Sequence, residues 1–241
     1  MFSEWFIRPI APLDQTKLER VIKEAIIEVN LDKDAPLTDE NVCHTFVISE
    51  GALSAGRLDL MRTYKTATAD ASGVKIWEAA LATSDSHTFP ETIFMGAISE
   101  SRLSNNPTVE AIAEAHKIWP NRPIGCLLSI GTGLENARQL SDNTLAPMSS
   151  HRLEVATYFV SSSRRCEEIH RRVCSNFPPR IVVDHNYFRW NVPRVVSAIG
   201  IEEWKKIGDV VALTDNYMKQ IDTESQKRAV VELLLNPQTR G

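Results

Sequence analysis

The segment that most restricts the fold is the apolar run Cys126–Ile130, which ends directly in Gly131-Thr132-Gly133. A strand that is apolar at successive positions places apolar side chains on both of its faces, and such strands are typical of parallel sheets covered by helices. Strand and helix patterns alternate in the first part of the chain, whereas the part after residue 145 is mostly helical in pattern. The sequence therefore predicts an α/β fold, in which residues 1–145 form an α/β domain and residues 146–241 a helical extension packed on it.

Apolar spacing locates the individual elements, because helices repeat every 3.6 residues and strands favour β-branched and aromatic runs. The predicted helices are 14–29, 76–82, 107–119, 153–173, 201–221 and 224–235. The predicted strands are 42–49, 58–64, 92–98 and 126–130. At the start of the third helix, we expect Asn106 to cap the free N–H groups and Pro107 to occupy the first helical position, where a missing N–H costs nothing.

The overall charge argues against one class of partner. The net charge is -4 and the isoelectric point is about 5.9, whereas nucleic-acid-binding domains are usually basic. One basic cluster, Arg164-Arg165 with Arg171-Arg172, is interleaved with Glu167-Glu168, which indicates a solvated helix face. We therefore expect no nucleic-acid partner.

Cysteine usage and the apolar runs bear on the compartment. The four cysteines have no C-x-x-C spacing and are predicted to be buried free thiols in a reducing compartment. The first residues lack the pattern of a signal peptide, and no apolar run approaches the 18 residues of a membrane span. These features predict a cytoplasmic protein, at most peripheral to a membrane.

The sequence contains no clear motif for a metal site, a phosphate-binding loop or a serine nucleophile. No histidine forms H-E-x-x-H or pairs with a C-x-x-C, so we expect neither a metal nor a cofactor. Gly131-Thr132-Gly133 lacks the third glycine or the lysine of a phosphate loop, and it is interpreted as a tight turn. None of the ten glycines begins the G-x-S-x-G of a hydrolase nucleophile; Ser54, in G-x-x-S-x-G, comes nearest and is the candidate nucleophile.

Several segments nevertheless resemble one family. They are "IWEAALATS" (76–84), "LSNNPTVEAIAEAHKIWP" (103–120), "CLLSIGTG" (126–133), "YFRWNV" (187–192), "IEEWKKIGDV" (201–210) and "TDNYM" (214–218). In order and spacing they are similar to the downstream part of a patatin-like phospholipase domain and its helical extension. The resemblance implies a sheet flanked by helices and a lipid acyl hydrolase with a Ser-Asp dyad. It also implies an oxyanion loop of backbone N–H groups and no metal.

The resemblance places the dyad only in part. The family's glycine-rich loop and nucleophile elbow would lie before Met1, so the central strands that carry them are expected to be missing from this chain. The family's aspartate, counted back from Asn105-Asn106-Pro107, falls on Ser99, and the chain contains no Asp-Gly dipeptide. Glu100 is a substitute carboxylate one residue out of register, and in an extended segment adjacent side chains point in opposite directions.

Three interpretations follow. The first is a truncated or degenerate patatin-like protein of lipid metabolism without activity of its own, a pseudoenzyme or a fragment. Such a protein would keep a lipid or membrane surface as partner, and its exposed sheet edges would either pair with each other again or be covered by another protein. The second is an active serine lipid acyl hydrolase, in which either the missing parts come from elsewhere or Ser54 or another serine acts with Glu100. The third is a soluble α/β interaction domain of unrelated function.

Overall fold

The computed structural model describes residues 15–39, 41–50, 58–66, 73–84, 93–94, 97–98, 106–133, 164–175, 186–193 and 204–235. The chain divides into two compact units, 1–103 and 104–241. Both helices and strands are present, which confirms the mixed α/β class. In the described ranges the strands form three separate pairs, so a continuous patatin-like sheet stays a prediction, as does a domain boundary at residue 145.

The first unit combines two helices with two antiparallel strand pairs. Its elements are α1 (Gln15–Glu28), β1 (Phe46–Glu50), β2 (Leu58–Arg62), α2 (Ile76–Ala82), β3 (Ile93–Phe94) and β4 (Ala97–Ile98). β1 pairs with β2, and β3 pairs with β4. The predicted helices 14–29 and 76–82 are confirmed. The single strand predicted over 92–98 is wrong, because the segment forms two short strands that pair with each other.

The core of the first unit lies around α2. The buried residues of this core are Met61, Val74, Ala79 and Ala82, with Leu37 and Val47 packed against them. The Glu78 carboxylate accepts the Lys75 N–H at 2.8 Å, which satisfies one of the free donors at the start of α2. Small alanines let this short helix approach the β1–β2 pair closely, so a seven-residue helix is stabilised by packing rather than by its length.

The second unit carries a parallel strand pair and most of the helices. Its elements are α3 (Thr108–Ile118), β5 (Leu127–Ile130), the helix α4 over 164–175, β6 (Tyr187–Trp190), a 3-10 turn (Trp204–Lys206), α5 (Ile207–Met218) and α6 (Ile221–Leu235). The helices predicted at 107–119 and 224–235 are confirmed with small shifts at their ends. The helix predicted over 201–221 is confirmed over Ile207–Met218 only, after the 3-10 turn, and Ile221 already belongs to the next helix. Of the helix predicted over 153–173, residues 164–173 are helical and the rest lies outside the described residues.

β5 and β6 are parallel, with Leu128 opposite Phe188 and Ile130 opposite Trp190. The predicted parallel strand is therefore confirmed, whereas the prediction of helices alone after residue 145 is wrong at β6. The prediction that helices cover both faces of β5 is also wrong. Leu128 is exposed and Ile130 is 70% exposed, while Ser129, which points to the other face, is buried.

The cysteines and the lengths of the helices can also be compared with the predictions from the sequence. All four cysteines are free, as predicted, but only Cys166 is buried; Cys43 and Cys174 are exposed. The prediction of buried thiols is therefore wrong for these two, and Cys126 is only half-buried. Within the described ranges, no helix combines the length and the apolar character that crossing a bilayer requires.

Candidate functional site

The residues that the sequence singled out for chemistry are Ser54, Ser99 and Glu100, and all three lie outside the residues that the structure describes. Their roles stay predictions. The structure does describe the helix start that follows Ser99 and Glu100 along the chain, together with α4, β5 and β6. These elements are joined by five side chains, which we call the polar cluster: Asn106, Ser129, Glu167, Arg189 and Asn191.

Asn106 ties the start of α3 to two other elements. Its Oδ1 accepts the Thr108 N–H at 3.3 Å, as well as the Thr108 hydroxyl. Its Nδ2 donates to the Cys166 carbonyl oxygen in α4 at 2.9 Å, and the Ser129 hydroxyl of β5 lies 3.4 Å from its Oδ1. The prediction that Asn106 accepts a free N–H of the helix start is confirmed. The cap position itself is Pro107 and the helix begins at Thr108, so the prediction of Pro107 as the first helical residue is wrong by one position. Both halves of this buried amide are used, so it holds α3, α4 and β5 together.

Arg189 of β6 is the charged centre of the cluster. Its Nε and Nη2 donate to Glu167 Oε1 at 3.2 and 2.9 Å, and its Nη1 donates to Ser129 Oγ at 2.9 Å. The Arg189 side chain is 5% exposed and that of Glu167 is 34% exposed. The guanidinium is thus withdrawn from water with a carboxylate and a hydroxyl as its acceptors, as a buried cation requires.

Asn191 fastens the turn that follows β5. Its Oδ1 accepts the Gly133 N–H at 2.8 Å, and its Nδ2 donates to Glu167 Oε1 at 3.1 Å. Gly133 has a φ of 107°, a conformation that favours glycine. At Gly131, a Cβ atom would collide with the Asn191 side chain. The geometry supports the interpretation of Gly131-Thr132-Gly133 as a tight turn, because the Gly133 N–H already has a protein acceptor.

Tyr187 and His170 lie on the same side of β6 as Arg189. The Tyr187 hydroxyl lies 3.0 Å from His170 Nδ1, and Cys174 Sγ lies 3.8 Å from the same nitrogen. Burial lowers the pKa of His170; Glu167 opposes this and Arg189 adds to it. Burial also raises the pKa of Tyr187 and of Cys174. Near neutral pH the imidazole, the phenol and the thiol are therefore uncharged, and Cys174 lacks the thiolate character of a reactive cysteine.

The polar cluster braces the fold rather than supplying a dyad. A serine nucleophile needs a base with a free lone pair beside its hydroxyl. The Ser129 hydroxyl instead receives a hydrogen bond from Arg189. The carboxylate of the cluster, Glu167, offers Oε1 to three donors from Arg189 and Asn191. Within the described ranges, moreover, no three acidic, histidine or cysteine side chains are grouped to hold a metal ion.

Sequence reasoning missed most of the cluster because its members are far apart along the chain. The interpretation of 164–172 as a solvated helix face is correct for its arginines and Glu168, which are exposed, but wrong for Glu167. A signal was present, since Glu167 sits beside the inward positions Cys166 and His170 on the helix. Its partner Arg189 could not be identified, because the strand that carries it was not predicted.

Comparison with known proteins gives one consistent result. No family model and no solved structure matches the sequence. Calcium-independent phospholipase A2-gamma of Mus musculus is 27% identical over 165 residues, which are 67% of this chain and 20% of that protein. The Homo sapiens protein of the same name is 27% identical over 134 residues, and that of Oryctolagus cuniculus 29% identical over 101 residues.

The similarity supports a relationship to the patatin-like phospholipases. The matched regions take in only 12% to 20% of the relatives' own length, so this chain spans a fifth of them or less. The relationship suggests a lipid-metabolism family, and it agrees with the resemblance found in the sequence. The similarity does not extend the activity of the relatives to this chain, because an activity depends on particular catalytic residues.

Proposed function

We propose that this chain is a patatin-like protein of lipid metabolism that does not hydrolyse lipid esters by itself. The observation that carries the proposal is the 165-residue similarity to a protein named as a phospholipase, combined with Ser99 at the position of the family's aspartate. The chain is then a pseudoenzyme or a part of a longer enzyme. The absence of an Asp-Gly dipeptide anywhere in its 241 residues supports the proposal.

The chemical argument concerns the first step of ester cleavage. A hydroxyl must lose its proton to a base as it attacks the carbonyl carbon. A serine hydroxyl at position 99 does not take up a proton near neutral pH, so it cannot serve as this base. The sequence also contains no G-x-S-x-G motif to expose a nucleophilic serine. When the members of a catalytic unit are absent together, most of the chemical acceleration is lost.

The polar cluster agrees with such a protein. Asn106, at the start of the helix that follows the family's aspartate loop, keeps its hydrogen bonds to α4 and β5. The same cluster contains no free base for Ser129. The helix start and the parallel pair can therefore be maintained by packing and hydrogen bonding without any dyad. A fold that is maintained without its catalytic residues is what we expect of an inactive relative.

A fluorophosphonate probe tests the proposal directly, because it labels serines that are activated as nucleophiles. We expect the purified 241-residue chain to label no more than its heat-denatured form, while an active serine hydrolase in the same reaction labels fully. Ser99→Asp should not restore labelling, since it supplies a base without an elbow serine. Stoichiometric labelling that disappears in Ser54→Ala, with ester turnover that disappears in Glu100→Gln, would establish the active hydrolase instead.

A further inference from the structure

The strand β5 has one edge paired with β6 and one open edge. The Gly131 N–H, directly after β5, donates to the Trp190 carbonyl oxygen at 2.8 Å, so Gly131 faces β6. Successive residues of a strand direct their N–H and C=O groups to opposite edges. The backbone groups of Leu128 and Ile130 therefore point away from β6, and no strand of the described residues pairs with them. We call this row of backbone groups the β5 edge.

The β5 edge lacks the features that usually keep an edge strand from pairing. Natural edge strands are commonly protected by charged side chains, by proline or by a bulge. The segment from Cys126 to Gly133 contains no charged residue and no proline, and β5 pairs with β6 in an unbroken register. Beside this edge, Ile130 is 70% exposed and Leu128 is 37% exposed. The edge therefore offers backbone donors and acceptors together with apolar side chains.

The helix α6 covers the neighbouring strand and leaves β5 open. Trp190 of β6 lies opposite Ile130, so the two side chains share one face of the sheet. The Trp190 Nε1–H donates to Gln226 Oε1 of α6 at 3.1 Å. On this face the cover ends at β6, which leaves the side chains of Leu128 and Ile130 exposed at the β5 edge. An added strand is the element that such an edge accepts, because it bonds to the backbone and packs its side chains on the same face.

We propose that a second copy of this chain occupies the β5 edge, with the two β5 strands antiparallel across a twofold axis. The axis passes beside Ser129 and places Leu128 opposite Ile130 of the partner subunit. Both residues direct their backbone groups to this edge, so each such pair exchanges two hydrogen bonds. Their Cα atoms then lie about 5.5 Å apart, and the apolar side chains meet on one face of a four-stranded sheet.

The pattern of the segment selects a second copy over an unrelated strand. In the twofold arrangement each hydrogen-bonded position brings leucine against isoleucine, so the edge is complementary to itself. Because the segment carries no charge, two identical copies bring no like charges together. A twofold contact is also closed, since it occupies the β5 edge of both copies and association stops at two.

The arrangement has room for the helices, and its size predicts a reversible dimer. The two β6 strands would lie three strand spacings apart, about 14 Å, whereas packed helices approach to about 8–10 Å. The two α6 helices therefore do not collide, and Leu128 and Ile130 of both copies lie between them. Strands of four residues bury less than the roughly 1,200 Å² of a stable interface. The inference does not depend on the proposed function.

Sedimentation velocity tests the inference on the purified 241-residue chain, between about 1 and 100 μM, where weak complexes dissociate. Ile130→Lys places a charge at the β5 edge. Ile207→Lys is the matched control, because Ile207 is 67% exposed on α5 and undergoes the same chemical change. Ile130→Pro removes an N–H that points away from β6, a position at which an edge strand tolerates proline. Circular dichroism verifies that each variant keeps the secondary structure of the wild-type chain.

We expect the wild-type chain and Ile207→Lys to form dimers whose fraction rises with concentration. Ile130→Lys should weaken dimerisation at least about tenfold, because the twofold axis introduces the charge twice. Ile130→Pro should weaken it at least about fivefold, since the axis removes two hydrogen bonds at once.

Four results would overturn the inference: a monomer at every concentration, equal weakening by Ile130→Lys and Ile207→Lys, a dimer that Ile130→Pro leaves unchanged, or assemblies larger than two copies. None of them bears on the absence of hydrolysis, which the fluorophosphonate experiment decides separately. Conversely, fluorophosphonate labelling of the chain would refute the proposed inactivity and leave the β5 edge to be decided by sedimentation.

Discussion

Arg189→Met removes the buried cation of the polar cluster while keeping much of the length of the side chain. The substitution eliminates two hydrogen bonds to Glu167 Oε1, at 3.2 and 2.9 Å, and one to Ser129 Oγ at 2.9 Å. Glu167 then keeps only the Asn191 amide from this set of donors. We expect the variant to unfold at a clearly lower urea concentration than the wild-type chain.

The magnitude follows from the exposure of the two partners. Removing one member of a buried ion pair costs about 3–5 kcal/mol when the other charge is left without compensation. Here the Glu167 side chain is 34% exposed, so water can replace part of what Arg189 supplied. We therefore expect a loss of about 2–3 kcal/mol in the free energy of unfolding. Adding Glu167→Gln to the variant should recover part of this loss, because it removes the uncompensated charge.

Equilibrium urea denaturation followed by circular dichroism and tryptophan fluorescence measures the loss. Lys219→Met is the matched control, since its ion pair with Asp215 joins side chains that are 70% and 64% exposed. Such an exposed pair contributes little to stability, because water screens its charges. If Arg189→Met cost no more than Lys219→Met, the argument that the polar cluster braces the second unit would be refuted.

Three other predictions concern the same unit. Gly131→Ala should destabilise it by about 1–3 kcal/mol in urea denaturation, because the new Cβ displaces Asn191 from its hydrogen bonds. Gly125→Ala, where a Cβ meets nothing within 4 Å, should change the free energy by less than about 0.5 kcal/mol; equal effects would contradict the assignment. Asn106→Ala should cost about 2–3 kcal/mol in the same assay, since it leaves buried backbone groups without partners. For His170, burial lowers the pKa below 6.5 in the folded state, so the unfolded chain takes up the proton more readily. The stabilisation that neutral His170 gives the folded state is therefore lost as the pH falls below about 6.5. His170→Gln should lessen the fall in melting temperature between about pH 7 and pH 5; an unchanged dependence of melting temperature on pH would count against this.

The elements that could be predicted from the sequence are those whose signals are local. The helix Gln15–Glu28 follows from apolar residues at helical spacing, and the strand Leu127–Ile130 from a short apolar run that ends at glycines. The hydrogen bond from the Thr108 N–H to Asn106 was predictable because its donor and acceptor are two residues apart. The resemblance to patatin-like phospholipases also came from the sequence, and the comparisons support that relationship.

The elements that could not be predicted depend on distant parts of the chain. β6 is only four residues long, with three aromatic residues and one charged residue, and it becomes a strand because β5 lies beside it. The exposure of Ile130 also depends on distant parts of the chain. An apolar run shows that a residue is suited to burial, but it does not show whether another element covers that residue.

The sequence by itself determined most of the local elements of this protein and indicated its relationship to patatin-like phospholipases, because each depends on residue types at short or recognisable spacing. Only the tertiary structure decided that Arg189 meets Glu167 across 22 residues and Ser129 across 60. The strength of such an interaction depends on the distance between the two groups in space. The number of residues between them along the chain does not give that distance, which is set only when the strands pair.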